Sequence, residues 1–133
     1  MKIDRVDHIG IAVPSLDAAQ PFWEESLGLR FHGREVVEDQ KVTVAMGEAG
    51  QTHIELLEPA DPASPIARFL EKNRPGIHHI ALHVDNLEEA LARLKAQGAT
   101  LIDETPRPGA GGKRIAFVHP KSTSGVLLEL CEG

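Results

Sequence analysis

Two histidines and two glutamates, His8, Glu55, His79 and Glu129, are the residues best suited to chemistry in this sequence. His8 stands in Asp7-His8-Ile9-Gly10-Ile11-Ala12-Val13. The same apolar alternation returns 71 positions later around His79, in Ile77-His78-His79-Ile80-Ala81-Leu82-His83-Val84. Each histidine is followed, at closely similar spacing, by a glutamate in the last apolar stretch of its half: Ile54-Glu55-Leu56 and Leu128-Glu129-Leu130. Two imidazoles and two carboxylates suit a single borderline or hard divalent ion: Co²⁺, Mn²⁺, Ni²⁺, Zn²⁺ or Fe²⁺. On a six-coordinate ion they leave positions open for substrate or water. A lone inward histidine on a strand is more often a hydrogen-bonded partner than a ligand. The same two residue types at matching ends of two repeats favour a shared metal site.

The elements that must position these four follow from periodicity. With His8 laid on His79, Ile9 falls on Ile80, Val13 on Val84, Leu16 on Leu87 and Ala19 on Ala90. A duplication of this kind marks one supersecondary unit used twice. In the first copy, residues 5–13 alternate as a strand, with Ile9, Ile11 and Val13 on one face and His8, Gly10 and Ala12 on the other. Ser15 caps a helix over 16–26, which Pro21 should kink and Gly28 should end. Strands follow at 29–37, 41–47 and 51–58. Ser64 and Pro65 open a short linking helix closed near Pro75-Gly76. The second copy has a strand at 77–84, a helix at 87–97 capped by Asn86, and strands near 99–104, 114–119 and 125–131. The fold class is therefore α+β: two tandem βαβββ modules making a curved, mostly antiparallel sheet around one site. The chain reads as a single domain, with module one at about 1–60, a linker helix at about 61–75 and module two at about 76–133.

Alternation sends His78 to the face opposite His79. His83 is read as a non-ligand, His119 as structural, and Asp7 as a surface acid at a strand start, with orientation of an imidazole as its other reading. The loop Pro106-Arg107-Pro108-Gly109-Ala110-Gly111-Gly112-Lys113 has cations at both ends. It matches neither a P-loop nor a dinucleotide fingerprint, and both an oxygen-binding nest and a plain hairpin remain open for it. Hydrophobic residues make up 41% of the chain and charged residues 26%, as in ordinary globular proteins. A net charge of −6 argues against a nucleic-acid surface. The single cysteine, Cys131, fits a reducing compartment and lacks a paired base for nucleophilic work. No leader and no membrane-length apolar run is read, so the expectation is a cytoplasmic protein. The short chain favours a homodimer with the site inside each chain.

These stretches resemble the vicinal oxygen chelate (glyoxalase/bleomycin-resistance/dioxygenase) superfamily, whose members pair two βαβββ modules around a metal. Within it they are similar to the methylmalonyl-CoA epimerase family. The most specific carriers are Gly76-Ile77-His78-His79-Ile80-Ala81, and Pro108-Gly109-Ala110-Gly111-Gly112 leading to Phe117-Val118-His119-Pro120-Lys121 and Gly125-Val126-Leu127-Leu128-Glu129-Leu130. The resemblance implies an acyl-CoA substrate, epimerised at C2, and one divalent ion held by His8, Glu55, His79 and Glu129. It implies Glu129 as the proton-transferring carboxylate. Lys113, Arg114 and Lys121 are the candidates to meet the substrate's negative charges. Some family members carry a further glutamate in the third strand of module one, where this chain has Val44. A glyoxalase-type lyase and a metal-free binding protein of the same fold are the alternative readings.

Overall fold

Apolar alternation and turn residues cut the chain into eight strands and three helices, described for residues 1–133 by a computed structural model. The strands are β1 (Ile3–Ala12), β2 (Arg30–Val37), β3 (Val42–Ala49), β4 (Thr52–Pro59), β5 (Gly76–Val84), β6 (Arg107–Pro108), β7 (Arg114–Val118) and β8 (Leu128–Glu132). The helices are α1 (Leu16–Pro21), α2 (Pro65–Lys72) and α3 (Leu87–Ala96). All eight strands form one sheet in the order β2-β3-β4-β1-β5-β8-β7-β6. The pairs β1–β4 and β5–β8 are parallel; the others are antiparallel. The α+β sheet of two βαβββ units read from the sequence is thus present, with its two halves joined between β1 and β5.

Both helix starts are built alike. The Ser15 side chain accepts from the Ala18 N–H, and that of Asn86 accepts from the Glu89 N–H. The first helical N–H of each module, on Leu16 and on Leu87, donates at 2.8 Å to a glutamate closing that module's last parallel strand, Glu58 or Glu132. A carboxylate at a helix N-terminus is favoured by the exposed N–H groups and the helix dipole. Pro21 ends the regular helix, and Phe22–Ser26 continue as a single wider turn. Gly28 and Gly98 take left-handed φ values of 79° and 88° where the chain leaves its two helices.

One sheet face is covered by helices. Leu16 and Val13 pack with Ala45 and Leu56, and Leu87, Ala90 and Leu91 pack with Val84, Ala116 and Leu130. Each fully buried leucine contributes about 1.5–3 kcal/mol. The opposite face has its own apolar groups: Ala12, Val42, Val44 and Leu57 under Ile66 of α2, and Ile115, Phe117 and Cys131. The four candidate ligands lie on this second face.

Two expected elements differ. Residues 99–104 form no strand; Leu101 makes one isolated bridge to Val118, and the edge strand is Arg107–Pro108. The last strand begins at Leu128 and not near 125, and Val126 is 43% exposed. Val126 follows Gly125, whose φ of 93° holds the chain in a turn there.

Candidate metal centre

Register brings the four residues together. In the parallel β1–β4 pair Gly10 lies opposite Glu55, and in the antiparallel β1–β5 pair Gly10 lies opposite His79. In the other half, Ala81 lies opposite both His8 and Glu129. Laterally aligned residues share a sheet face, so two rows, Glu55–Gly10–His79 and His8–Ala81–Glu129, point the same way. Each imidazole has a small residue across from it. At Gly10 this is a steric requirement, because a Cβ there would run into the His79 ring. The small face beside His8 in the sequence is the space that ring occupies.

All four side chains are buried, at 4–6% exposure. His8 Nε2 lies 3.0 Å from His79 Nε2. Glu129 places one oxygen 3.3 Å from His79 Nε2 and the other 3.5 Å from His8 Nε2. His8, His79 and Glu129 offer ligand atoms that all lie within 4.8 Å of one another. Glu55 stands at the rim of this group, with Oε2 3.6 Å from His8 Nε2.

Asp7 is not the surface acid expected from the alternation. It is 2% exposed and its Oδ2 lies 2.8 Å from His8 Nδ1. The β1–β5 ladder slips between Val6 and His8, leaving Asp7 as an extra residue, and a bulge of this kind re-aims a side chain. A second slip, between Gly10 and Ile11, leaves His78 without a partner across the ladder. His78 Nδ1 consequently lies 3.0 Å from His79 Nδ1, whereas alternation placed it on the other face. Each central imidazole thus has a polar group on its outer nitrogen, which fixes the ring and turns Nε2 inward.

The electrostatics show what this donor set lacks. Burial opposes a charge on His8, yet the hydrogen bonds to Asp7 and Glu129 and the charges of Glu55 and Glu129 outweigh it and raise its pKa to about 10. Burial pushes Glu129 upward, and its bonds to His79 and His8 overcome this and hold it at about 2. Burial raises Glu55 above the usual carboxylate range, with the Glu129 charge acting in the same direction. His78 is lowered to about 4 by burial and by the charge of His79. The cluster therefore draws in a proton against the three buried carboxylates around His8, which are Asp7, Glu55 and Glu129. The one amine nearby, Lys113 Nζ, is already held by Asp7 at 2.6 Å. Two inward imidazole nitrogens and a carboxylate with both oxygens facing them are a set that a divalent cation fits.

The three surface cations of the sequence reading separate here. Lys113 lines the site together with His8, Glu55 and Glu129. Arg114 does not reach it. Alternation along β7 turns Ile115 and Phe117 toward the site and Arg114 away from it, where it pairs with Glu88 of α3 and with Glu132. Lys121 sits on the exposed turn Pro120–Ser122, its backbone N–H donating to His119 Nδ1. Beside His79 a cavity of about 240 Å³ is lined by Leu57, Ile66, Phe117, Leu127 and a different cation, Arg107.

Comparison with known proteins agrees with this geometry. The model of the Glyoxalase/Bleomycin resistance protein/Dioxygenase superfamily matches residues 7–117. An ethylmalonyl-CoA/methylmalonyl-CoA epimerase of Cereibacter sphaeroides is 43% identical over 130 residues, 96% of this chain and 97% of that one. The mitochondrial methylmalonyl-CoA epimerase of Homo sapiens is 40% identical, over 96% of this chain and 73% of that one. The chain belongs to the methylmalonyl-CoA epimerase family. A solved structure of a methylmalonyl-CoA epimerase in complex with methylmalonyl-CoA and NH4+ superimposes with a TM-score of 0.95 at 36% identity, covering 99% of this chain and 96% of that one. Within the family's fold, the site lies where β1, β4, β5 and β8 meet. No helix of the chain is long and apolar enough to cross a membrane.

Proposed function

We propose that this chain is an epimerase that interconverts (2R)- and (2S)-methylmalonyl-CoA by removing and returning the proton on C2. The observation that carries the reading is Glu129: a buried carboxylate between two imidazoles, in a chain of the epimerase family. We assign His8, His79, Glu129 and, at the rim, Glu55 as the residues that hold one divalent ion, of the group Co²⁺, Mn²⁺, Ni²⁺, Zn²⁺ or Fe²⁺. When bound, such an ion supplies positive charge against the negative charge that develops on the thioester oxygen.

The chain's own residues do the rest. The C2–H bond lies between a thioester and a carboxylate, so its electron pair delocalises onto oxygen as the proton leaves. Glu129 receives that proton. Asp7 and His78 hold the His8 and His79 rings in place. Val42, Val44 and Met46 line the site beside Glu55 and keep water from the planar enolate. A proton delivered to the opposite face by a donor other than Glu129 gives the other epimer, and Glu129 then releases the proton it took to solvent. Lys113, tied to Asp7, serves the site electrostatically, and the apolar cavity beside His79 takes the acyl end of the acyl-CoA partner.

The decisive measurement is proton NMR of methylmalonyl-CoA in D₂O with protein loaded in turn with each of the five ions. The C2 proton signal is expected to disappear and the epimers to equilibrate. Unchanged C2 signals with every ion would refute the reading. Gly10→Ala is expected to push the His79 ring out of place and to lower divalent-ion affinity by about 10- to 100-fold, read by calorimetric titration; parent affinity would show that the ring has room to shift. The reading includes a cytoplasmic homodimer. Phe22, Leu27 and Val36, each 55% exposed, are apolar surface for such contacts. A dimer mass by light scattering at micromolar concentration is expected, and a monodisperse monomer would remove that part.

A further inference from the structure

The cavity beside His79 has a single Lys or Arg on its wall, Arg107. Its guanidinium carbon lies 5.4 Å from the centre of the Phe117 ring, and Phe117 in turn meets the His79 ring edge-on at 5.8 Å. The aromatic face holds the cation next to the site. Its hydrogen bonding is far from complete. Nε is buried and has no hydrogen-bond partner. Asp103 Oδ2 comes within 3.4 Å of it but out of hydrogen-bond geometry, and that oxygen already accepts the Phe117 N–H at 2.9 Å. One terminal nitrogen donates to Asp39 Oδ2 at 3.4 Å, long for a charge-assisted bond, which is about 2.7–2.9 Å. The other terminal nitrogen makes no hydrogen bond, so the guanidinium on this wall keeps donors for a group that enters the cavity.

We propose that Arg107 receives the free carboxylate of the malonyl-type acyl group. This rests on the epimerase reading and names the residue that would make the enzyme select a carboxylated acyl thioester over a plain one. The substrate brings an anion toward a cluster already containing Glu55 and Glu129, so a countercharge is needed in the same space. The other candidates are committed elsewhere: Lys113 to Asp7, Arg114 to Glu88 and Glu132. The flat guanidinium fork matches a carboxylate in two parallel bonds. The phosphates of the CoA moiety offer similar oxygens, but a space of about 240 Å³ lined by Leu57, Ile66 and Leu127 suits an acyl head and not a nucleotide.

The test is binding to the metal-loaded full chain, with Arg107→Met and three probes. Methylmalonyl-CoA is expected to bind about 10- to 100-fold more weakly than to the parent, the usual loss for a hydrogen bond to a charged group. Propionyl-CoA, which lacks the carboxylate, should bind both proteins alike. Methylmalonyl-pantetheine, which lacks the nucleotide phosphates, should lose the same factor as methylmalonyl-CoA. Equal losses for methylmalonyl-CoA and propionyl-CoA, a loss confined to the CoA thioesters, or no loss at all would each overturn the inference. If Arg107→Met does not fold, Arg107→Lys keeps the charge and loses the fork. It should then weaken methylmalonyl-CoA several-fold while leaving propionyl-CoA unchanged, and identical behaviour toward the two would overturn the inference. Binding needs no turnover. A parent that prefers methylmalonyl-CoA through Arg107 yet never exchanges C2 would remove the epimerase reading alone. A parent that epimerises while Arg107→Met binds normally would remove this inference alone.

Discussion

Glu129→Gln is expected to lower C2 proton exchange by about 100- to 10,000-fold, the usual cost of losing a general base, while lowering metal content far less. The two effects separate because the two roles of the side chain need different things. Holding a cation needs an oxygen turned toward His8 and His79, and the Gln amide oxygen occupies the place of the carboxylate oxygen 3.3 Å from His79 Nε2. Accepting a proton needs a carboxylate, and the amide is not basic near neutral pH. Epimerisation should fall in step with exchange, since both begin with the same abstraction. The surroundings offer no ready substitute. The wall nearby is made of Val42, Val44 and Met46; Asp7 is held by His8 and Lys113, and Glu55 lies at the rim, 3.6 Å from His8 Nε2. Val44 is 3% exposed and lines the same site as Glu129, so Val44→Glu would bring a further carboxylate to it. A Glu129→Gln protein that keeps its metal and exchanges C2 at the parent rate would sink the assignment and direct attention to Glu55.

How much of this was legible in the sequence depends on whether strand alternation holds. Where it does, as from His8 to Ala12 and from Leu128 to Cys131, residue parity alone sorted the site-facing side chains from those beneath the helices. Duplication then supplied the long-range information that parity lacks, because matching residues in two copies of one unit meet across the β1–β5 seam. The reading failed where the ladder slips. Asp7 and His78 are extra residues at two irregularities, and no local propensity signals a bulge there, since a bulge is a property of the pairing of two strands. Of the adjacent pair His78-His79, the repeat picked out His79 for the site, while alternation sent His78 to the wrong face. Sequence alone did not separate Arg114 from Lys113: Lys113 lies just outside β7, and one step along the chain turns Arg114 to the helix side, against Glu88 and Glu132. Arg107 was visible as the cation at the other end of the glycine-rich loop. What singles it out is its position over Phe117 and an orphaned Nε, both of them tertiary facts.

His79→Ala is expected to abolish most of the metal binding and, with it, the stabilisation that a bound ion gives the fold. A ligand at about 1,000 times its dissociation constant stabilises a protein by about 4 kcal/mol, which for a chain of this size raises the melting temperature by on the order of 10 °C. The parent should therefore melt higher with added Co²⁺ than with chelator, and His79→Ala should melt at nearly the same temperature in both. Comparing each protein with itself isolates the ion from the cavity that the substitution leaves, worth about 1–3 kcal/mol in its own right. The fold should survive that cavity. The packing of β5 rests on Ala81 and Val84, both fully buried, and Val84 belongs to the cluster under α3, on the other side of the sheet from the imidazole. Loss of affinity should be steep, because His79 Nε2 is within 3.3 Å of both other members of the tight group, His8 Nε2 and Glu129 Oε1. With it gone, Glu129 faces a single imidazole, and Glu55 still reaches only His8. If His79→Ala gains as much thermal stability from Co²⁺ as the parent does, the ion is held elsewhere and the metal centre assigned to these four residues is wrong.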